Sequence, residues 1–384
     1  MATAAGRPPF WRDVRVLAWA FQLVVVAGVV AIVWYLVGNY LDNAEQKGFT
    51  TDFDFLDQPA GFPIPSSSFR QSQPTRDAIV EGLLNTLRLA VTGIVLATVL
   101  GTLIGVGRLS QNFLIRTGTR MYVEVIRNVP LLALMILAFL AVVQSAFPPP
   151  DESWELGPIA VLNVRGASVF WFEGDNTKAI VVVVFALIVM WVVARWRHAV
   201  ADRTGSPARS ALWAIPIGLA VAVVAWILLG LGVTAPELEG RRVLGGITMT
   251  PAYFAALAAL VIYTSSHVAE IVRASIQAVP RGQAEAADAL ALSGFQRLWH
   301  VVLPQAMRIG VPPVGNQYLN LTKNSSLAAL ISFPELTKVN QLAIATRAPS
   351  VPTYILLLLT YLMISLVISA FVNLVNWRLR IVER

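Results

Sequence analysis

Six polar side chains, Asn316, Gln317, Asn320, Thr322, Lys323 and Asn324, interrupt a largely apolar stretch from about Val311 to Ile331, and Asn316, Gln317 and Asn320 recur at helical spacing. Amides and a cation in that setting are costly unless they face a cavity or one another, so this face suits the route of a polar solute. On such a route Lys323 would hold a carboxylate; the alternative is that it pairs with Glu335 or caps a carbonyl near the membrane surface. A different chemistry is written in GQAEAADALALSGFQRLWHVVLPQA, from Gly282 to Ala306. Pro280 is expected to end the preceding helix and Pro304 to end the segment. Between them Glu285, Ala286, Ala287, Ala289 and Ala291 favour a helix with small side chains. Such a helix can enter a narrow groove on another protein with little side-chain entropy lost. Phe295, Leu298 and Trp299 add apolar anchors beside Arg297 and His300.

Covalent chemistry is not expected, because the apolar segments contain no cluster of acid, base and nucleophile. Glu124 and Arg127 stand three apart, as do Glu270 and Arg273, and both pairs are expected to be helix-surface ion pairs. His267 and Glu270 have HxxE spacing, but with no second histidine nearby no metal site is expected. There is no cysteine, hence no disulfide and no thiolate ligand. Nor is there a GxxxxGK[ST] loop to cradle nucleotide phosphates.

The elements that position these residues are set by composition. Of 384 residues 56% are hydrophobic and only 13% charged, too few to coat a soluble globule. Apolar blocks of about 20 residues, the length that spans a bilayer as a helix, run near Val16–Val37, Leu87–Val106, Leu131–Phe147, Ala179–Trp196, Ala211–Val233, Ala252–Val268 and Tyr354–Val375. The first follows Arg7, Arg12 and Arg15 but is too long for a signal-peptide core and ends in Trp34 and Tyr35, so it is expected to be a retained helix. Adding the polar stretch as the seventh crossing gives eight. With the N-terminus inside, eighteen of the 29 Lys and Arg residues then fall on the cytoplasmic side, including Arg108, Arg116, Arg120, Arg195, Arg197, Arg203, Arg378, Arg380 and Arg384. Nine lie outside, and Arg88 and Lys323 fall within spans. This bias accounts for the net charge of +7 without nucleic acid. The segments Asn39–Ile79 and Phe147–Thr177 are expected to be turn-rich outer loops.

The sequence EAA at Glu285–Ala287, a gap, and VVLP ending in Leu303 and Pro304 resembles the EAA loop of binding-protein-dependent ABC importer permeases. The resemblance implies that Glu285, Ala286, Ala287, Ala291, Gly294, Leu303 and Pro304 couple the chain mechanically to a separate ATPase. Ala291 stands where that family has glycine, with Gly294 three residues on, so the turn after the helix is expected to be displaced. EGLLNTLRLAV from Glu81, YVEVIRNVPLL from Tyr122, EIVRASIQAVPRGQ from Glu270 and LTKNSSLAALISFPEL from Leu321 are similar to the polar amino acid branch. FDFLDQPAGF from Phe53 and the insertion between the core segments look like the enlarged general L-amino acid subtype.

The resemblance implies an all-α polytopic fold of about eight transmembrane helices, with a five-helix permease core and both termini cytoplasmic. Residues 1–80 would be an N-terminal helix and outer loop, 81–147 the first part of the core, and 148–250 an insertion with an outer loop and two helices. Residues 251–384 would be the rest of the core, with its coupling loop at 280–306. Implied partners are a cytoplasmic ATPase dimer carrying ATP and Mg, a second permease subunit (sister chain or identical copy), an extracytoplasmic amino acid binding protein and inner-membrane lipid. The route would carry glutamate, glutamine, aspartate, asparagine or a broader range. From another class, the competing expectation is a secondary transporter or channel needing no ATPase, weakened by the scarcity of mid-membrane charge.

Overall fold

The computed structural model describes residues 14–48, 51–65, 67, 69–145, 147–172, 176–204 and 210–379. Arg7, Arg12, Arg380 and Arg384 of the orientation argument lie outside them. The fold is mostly helical, and the chain divides into two compact units, one of residues 1–64, 68–80 and 339–362, the other of residues 65–67, 81–338 and 363–384.

In the first unit, α1 (Val14–Lys47) is apolar on every side, and none of its most apolar stretch is buried within the chain. A helix of that kind takes lipid as its solvent. The segment that follows, expected as a turn-rich outer loop, is packed: Phe55, Ala60, Phe62 and Ile64 are buried. Backbone bonds from Ala60 N–H to Gln73 O (2.9 Å) and from Gly61 N–H to Gln71 O (3.0 Å) close it on itself. Gly61 sits at φ +76°, and a Cβ there would lie 2.9 Å from Thr346 Cγ2, so this turn requires glycine on two counts.

The second unit is organised by α2 (Thr75–Gly107), α4 (Leu131–Leu140), α7 (Pro251–Gln277) and α10 (Leu303–Asn324). Their buried faces meet in one cluster that includes Leu89, Ala97, Met135, Leu260 and Leu321. Lipid is as apolar as leucine, so helices in a bilayer gain by close backbone approach, and α7 supplies it with a buried stripe of Ala256, Ala259, Ser265, Ser266 and Ala269. Gly101 and Gly105 of α2 pack on that stripe. A short helix, α3 (Phe113–Arg127), joins α4 at a bend of 101°. Pro130 at the N-cap of α4 explains why the helix cannot run straight through.

Between residues 148 and 250 the all-α expectation fails. The pair α5 (Asn176–Thr204) and α6 (Ser210–Leu228) is flanked by eight short strands. β1 (Trp154–Glu155), β2 (Ala160–Asn163) and β3 (Gly166–Val169) form an antiparallel sheet whose last member is β8 (Ile247–Met249), paired Ser168↔Thr248. β4 (Trp171–Phe172) pairs with β5 (Val233–Thr234), and β6 (Glu237–Glu239) with β7 (Arg242–Leu244). The β6–β7 hairpin turns through Gly240 at φ +62°, whereas the β2–β3 hairpin turns through Val164 and Arg165 with Gly166 at φ +123° opening β3. The sheet thus stitches the chain entering α5 to the chain leaving α6, and β8 feeds directly into α7.

Two further elements, α11 (Leu336–Thr346) and α12 (Ser350–Leu379), close the chain. Among the described residues, α1, α2, α5, α7 and α12 are long and apolar enough to cross a bilayer, with the bent α3–α4 pair a sixth candidate. The described apolar part of α6 is shorter, at 212–228.

Candidate coupling segment and polar helix face

The segment after α7 folds as two short helices with prepared ends. Pro280 is the N-cap of α8 (Arg281–Ala289). Of its residues Ala287 is buried, at 2% exposure, while Glu285, Ala286 and Ala289 face outward. At the C-terminus, Leu292 N–H donates to Ala287 O (3.2 Å) and Ala291 N–H to Asp288 O (2.9 Å). This 6→1 and 5→2 pairing is the Schellman ending, which places its residue after the cap in the left-handed region. Ala291 occupies it at φ +54°.

The expected displacement of the turn toward Gly294 is therefore wrong. Ala291 itself takes the glycine conformation, and Gly294 instead opens α9 (Gly294–Arg297) behind its N-cap, Ser293. An L-residue in that conformation costs about 1–2 kcal/mol. Ala291→Gly is accordingly expected to stabilise the solubilised protein by about 1 kcal/mol, read as a rise in its thermal unfolding midpoint. A fall would contradict the strained turn.

The α8–α9 corner is braced by polar contacts. Ser293 and Gln296 form a reciprocal capping box, with Ser293 N–H donating to Gln296 Oε1 at 2.9 Å and Gln296 N–H to Ser293 Oγ at 3.3 Å. Arg297 Nη1 reaches both carboxylate oxygens of Asp288 at 2.8 Å. From α9 the chain passes through a π-turn at Leu298–Val302 into α10, where Pro304 sits in the first turn and its missing N–H costs no helical bond, while Pro312 and Pro313 lie further inside. Phe295 and Trp299 stack at 6.1 Å between centroids, and with Leu290 and Leu298 they stand exposed. The result is a rigid corner that presents Glu285 and Ala286 on one helix and four large apolar side chains beside them.

On α10, Asn316, Asn320 and Lys323 share one face and are exposed, while Gln317 and Asn324 are half-buried. The helix ends at Asn324 and passes into a 3-10 turn, Ser325–Ile331. Lys323 does not pair with Glu335, for among the described residues it forms no ion pair. Glu335 is buried and accepts the backbone N–H groups of Thr337 and Lys338 at 2.9 Å, satisfying the start of α11. Glu270 does pair with Arg273, and also with Arg108, the residue that follows α2, a partner not evident from spacing. Glu124 pairs with Arg120 at 2.7 Å rather than with Arg127, because the i−4 neighbour reaches it on the same face. His267 is engaged through Nδ1 with Tyr263 O at 3.0 Å.

Sequence reading missed Gly101 and Gly105, whose GxxxG spacing in an apolar helix was an available signal. A Cβ at Gly101 would fall 2.7 Å from Val268 Cβ and 2.8 Å from Ser265 O, and one at Gly105 2.7 Å from Ala269 O.

Helices of spanning length around a small-residue core, with a braced helical corner at which large apolar side chains stand exposed, define a polytopic membrane protein. The profile of the inner membrane component of binding-protein-dependent transport systems matches residues 183–381, and the chain belongs to that family. The general L-amino acid transport system permease protein AapQ of Rhizobium johnstonii is 37% identical over 372 residues, covering 95% of this chain and 92% of the relative. The glutamate/glutamine/aspartate/asparagine transport system permease protein BztB of Rhodobacter capsulatus is 35% identical over 410 residues, covering 97% and 96%. Such coverage takes in the segment 148–250, so the strand-flanked helix pair falls within the shared length.

Proposed function

We propose that the chain is the membrane subunit of an ATP-driven importer of polar L-amino acids, forming half of the translocation route and taking its energy from a separate ATPase. The observation that carries this reading is the braced α8–α9 corner, with Glu285 and Ala286 turned outward at the EAA positions, in a chain related along its whole length to amino acid permeases. A dimer of ATPases holds ATP and Mg and moves the corner; a second permease subunit, sister or identical, completes the cavity; a binding protein delivers the substrate. Ala287, Ala291, Gly294, Leu303 and Pro304 shape the corner, and none does covalent chemistry.

The topology we assign has eight crossings in the inner membrane, with both termini cytoplasmic. α10 and its 3-10 turn serve as the polar seventh crossing, and residues 148–250 are an insertion that leaves the orientation of everything after it unchanged. Asn316, Gln317, Asn320, Lys323 and Asn324 line the route. The substrates are glutamate, glutamine, aspartate, asparagine or a wider set, and the binding protein selects among them first.

Proteoliposomes bearing the complex test this directly: uptake of labelled amino acid should require ATP and the binding protein and survive collapse of ion gradients. Uptake driven by an ion gradient without ATP would overturn it. For the route, Lys323→Met is expected to lower uptake about tenfold and Lys323→Arg to keep most of it, since charge rather than shape holds a carboxylate. Equal, unchanged uptake in both would leave Lys323 a structural role only.

A further inference from the structure

The strands flanking α5 and α6 hold a feature that the translocation route leaves unused. Asn163, Ser168 and Thr248 sit on one face of the sheet formed by β2, β3 and β8, and the hydroxyls of Ser168 and Thr248 share a hydrogen bond of 2.9 Å. The turn of the β6–β7 hairpin lies against that face, fastened where Arg165 Nη1 donates to Arg241 O at 3.1 Å. Between sheet and hairpin is a cavity of about 250 Å3, bordered by Arg165, Arg241 and Arg242, all three of them exposed.

Among the described residues no acid borders the cavity, and none of the three arginines forms an ion pair. Glu239 stands opposite Arg242 in the hairpin register, yet the two do not pair. Asp151, Glu152 and Glu155 lie at or just before β1, the opposite edge of the sheet. Basic residues are disfavoured on the outer side of an inner-membrane protein, but three of the nine that the eight-crossing topology puts there meet at this one cavity. A carboxylate from outside the chain would complete the set, its two oxygens matching two donors of a guanidinium.

Size and position decide what brings that carboxylate. Small-molecule sites occupy about 300–1,000 Å3 and are lined mostly by apolar and aromatic groups. This cavity is smaller; among the described residues Val243 and Leu244 are the only large apolar side chains of its lining, and none is aromatic. It offers no bed for an acyl chain, whereas acidic side chains of a water-soluble protein fit it. Thr248 lies three residues ahead of α7, whose 27 residues extend about 40 Å to Gln277, four residues before α8. The hydrocarbon layer is about 30 Å thick. With α7 as a crossing, the cavity and the α8 corner face opposite sides of the membrane, so the partner at the cavity is not the one at α8.

We propose that Arg165, Arg241 and Arg242 form a docking site for an acidic patch on the extracytoplasmic amino acid binding protein. Resting on the importer reading, the site deepens it: residues 148–250 become the part of the chain that the binding protein grips.

The test uses the complete transporter in proteoliposomes, titrated with the loaded binding protein that stimulates its ATP hydrolysis. Arg241→Glu combined with Arg242→Glu is expected to raise the binding-protein concentration for half-maximal stimulation about tenfold and to flatten the salt dependence of that concentration, with basal hydrolysis unchanged. Should the double variant fail to assemble, Arg241→Gln and Arg242→Gln decide, each expected to raise the concentration about threefold. Wild-type concentration and salt dependence in the variants overturn the site. So does a loss that appears only in vesicles containing phosphatidylglycerol, which would assign the arginines to lipid. A wild-type complex that no binding protein stimulates overturns the importer reading itself.

Discussion

Replacing Ala286 with arginine is expected to cut ATP-driven uptake by at least about tenfold while ATP hydrolysis continues, a loss of about 1.4 kcal/mol or more of coupling between the two sites. Ala286 is exposed on α8, so the substitution leaves the permease fold alone and acts at whatever receives the helix. A groove that fits a methyl group cannot take a guanidinium on a long stem without opening. Ala287 separates contact from folding. It is 2% exposed, so Ala287→Arg buries a charge inside the corner itself and is expected to lower the thermal midpoint of the chain as well as uptake. Uptake at the wild-type rate in Ala286→Arg would remove the coupling role from α8.

Gly101→Leu is expected to have the largest effect on the protein itself. Even a single added carbon would lie 2.7–2.8 Å from Val268 and the Ser265 carbonyl, and those neighbours are a β-branched side chain and a helix backbone, neither able to move aside. The α2 and α7 axes must separate, and that breaks the packing around Ser265 and Ala269 and strains the ion pairs of Glu270 with Arg108 and Arg273 at the same contact. Overpacking costs about 1–3 kcal/mol in ordinary cores, and more where backbone is the obstacle. In membranes, yield of monodisperse protein should collapse, whereas Gly118→Leu, where nothing lies within 4 Å of the added carbon, should be tolerated. Equal yields would mean that the α2–α7 contact does not hold the unit together.

Much of this fold is legible in the sequence. Hydropathy located the helices because the bilayer forces every backbone group into a helix of nearly fixed length. Proline and alanine placement located the α8–α9 corner, since Pro280 is expected to end the helix before it and an Ala-rich run favours a helix after it. The strands of residues 148–250 were not legible: each has two to four residues, and β3 finds its partner β8 across two intervening helices. Ala291 misled for a related reason. Glycine's absence suggested that the turn moved, but two hydrogen bonds in the Schellman ending outweigh the cost of one strained alanine. Glu335 looked like a counter-ion for Lys323 by proximity in sequence, yet helix capping claimed it.

The most direct test of the importer account is a mild-detergent pull-down of this chain from its native membrane, with the eluate analysed for composition and assayed for ATP hydrolysis. The account predicts a stoichiometric ATPase, a second permease subunit or second copy, and hydrolysis stimulated by a loaded amino acid binding protein. Well-folded chain emerging alone across several detergents, with uptake driven by an ion gradient after reconstitution, would contradict it.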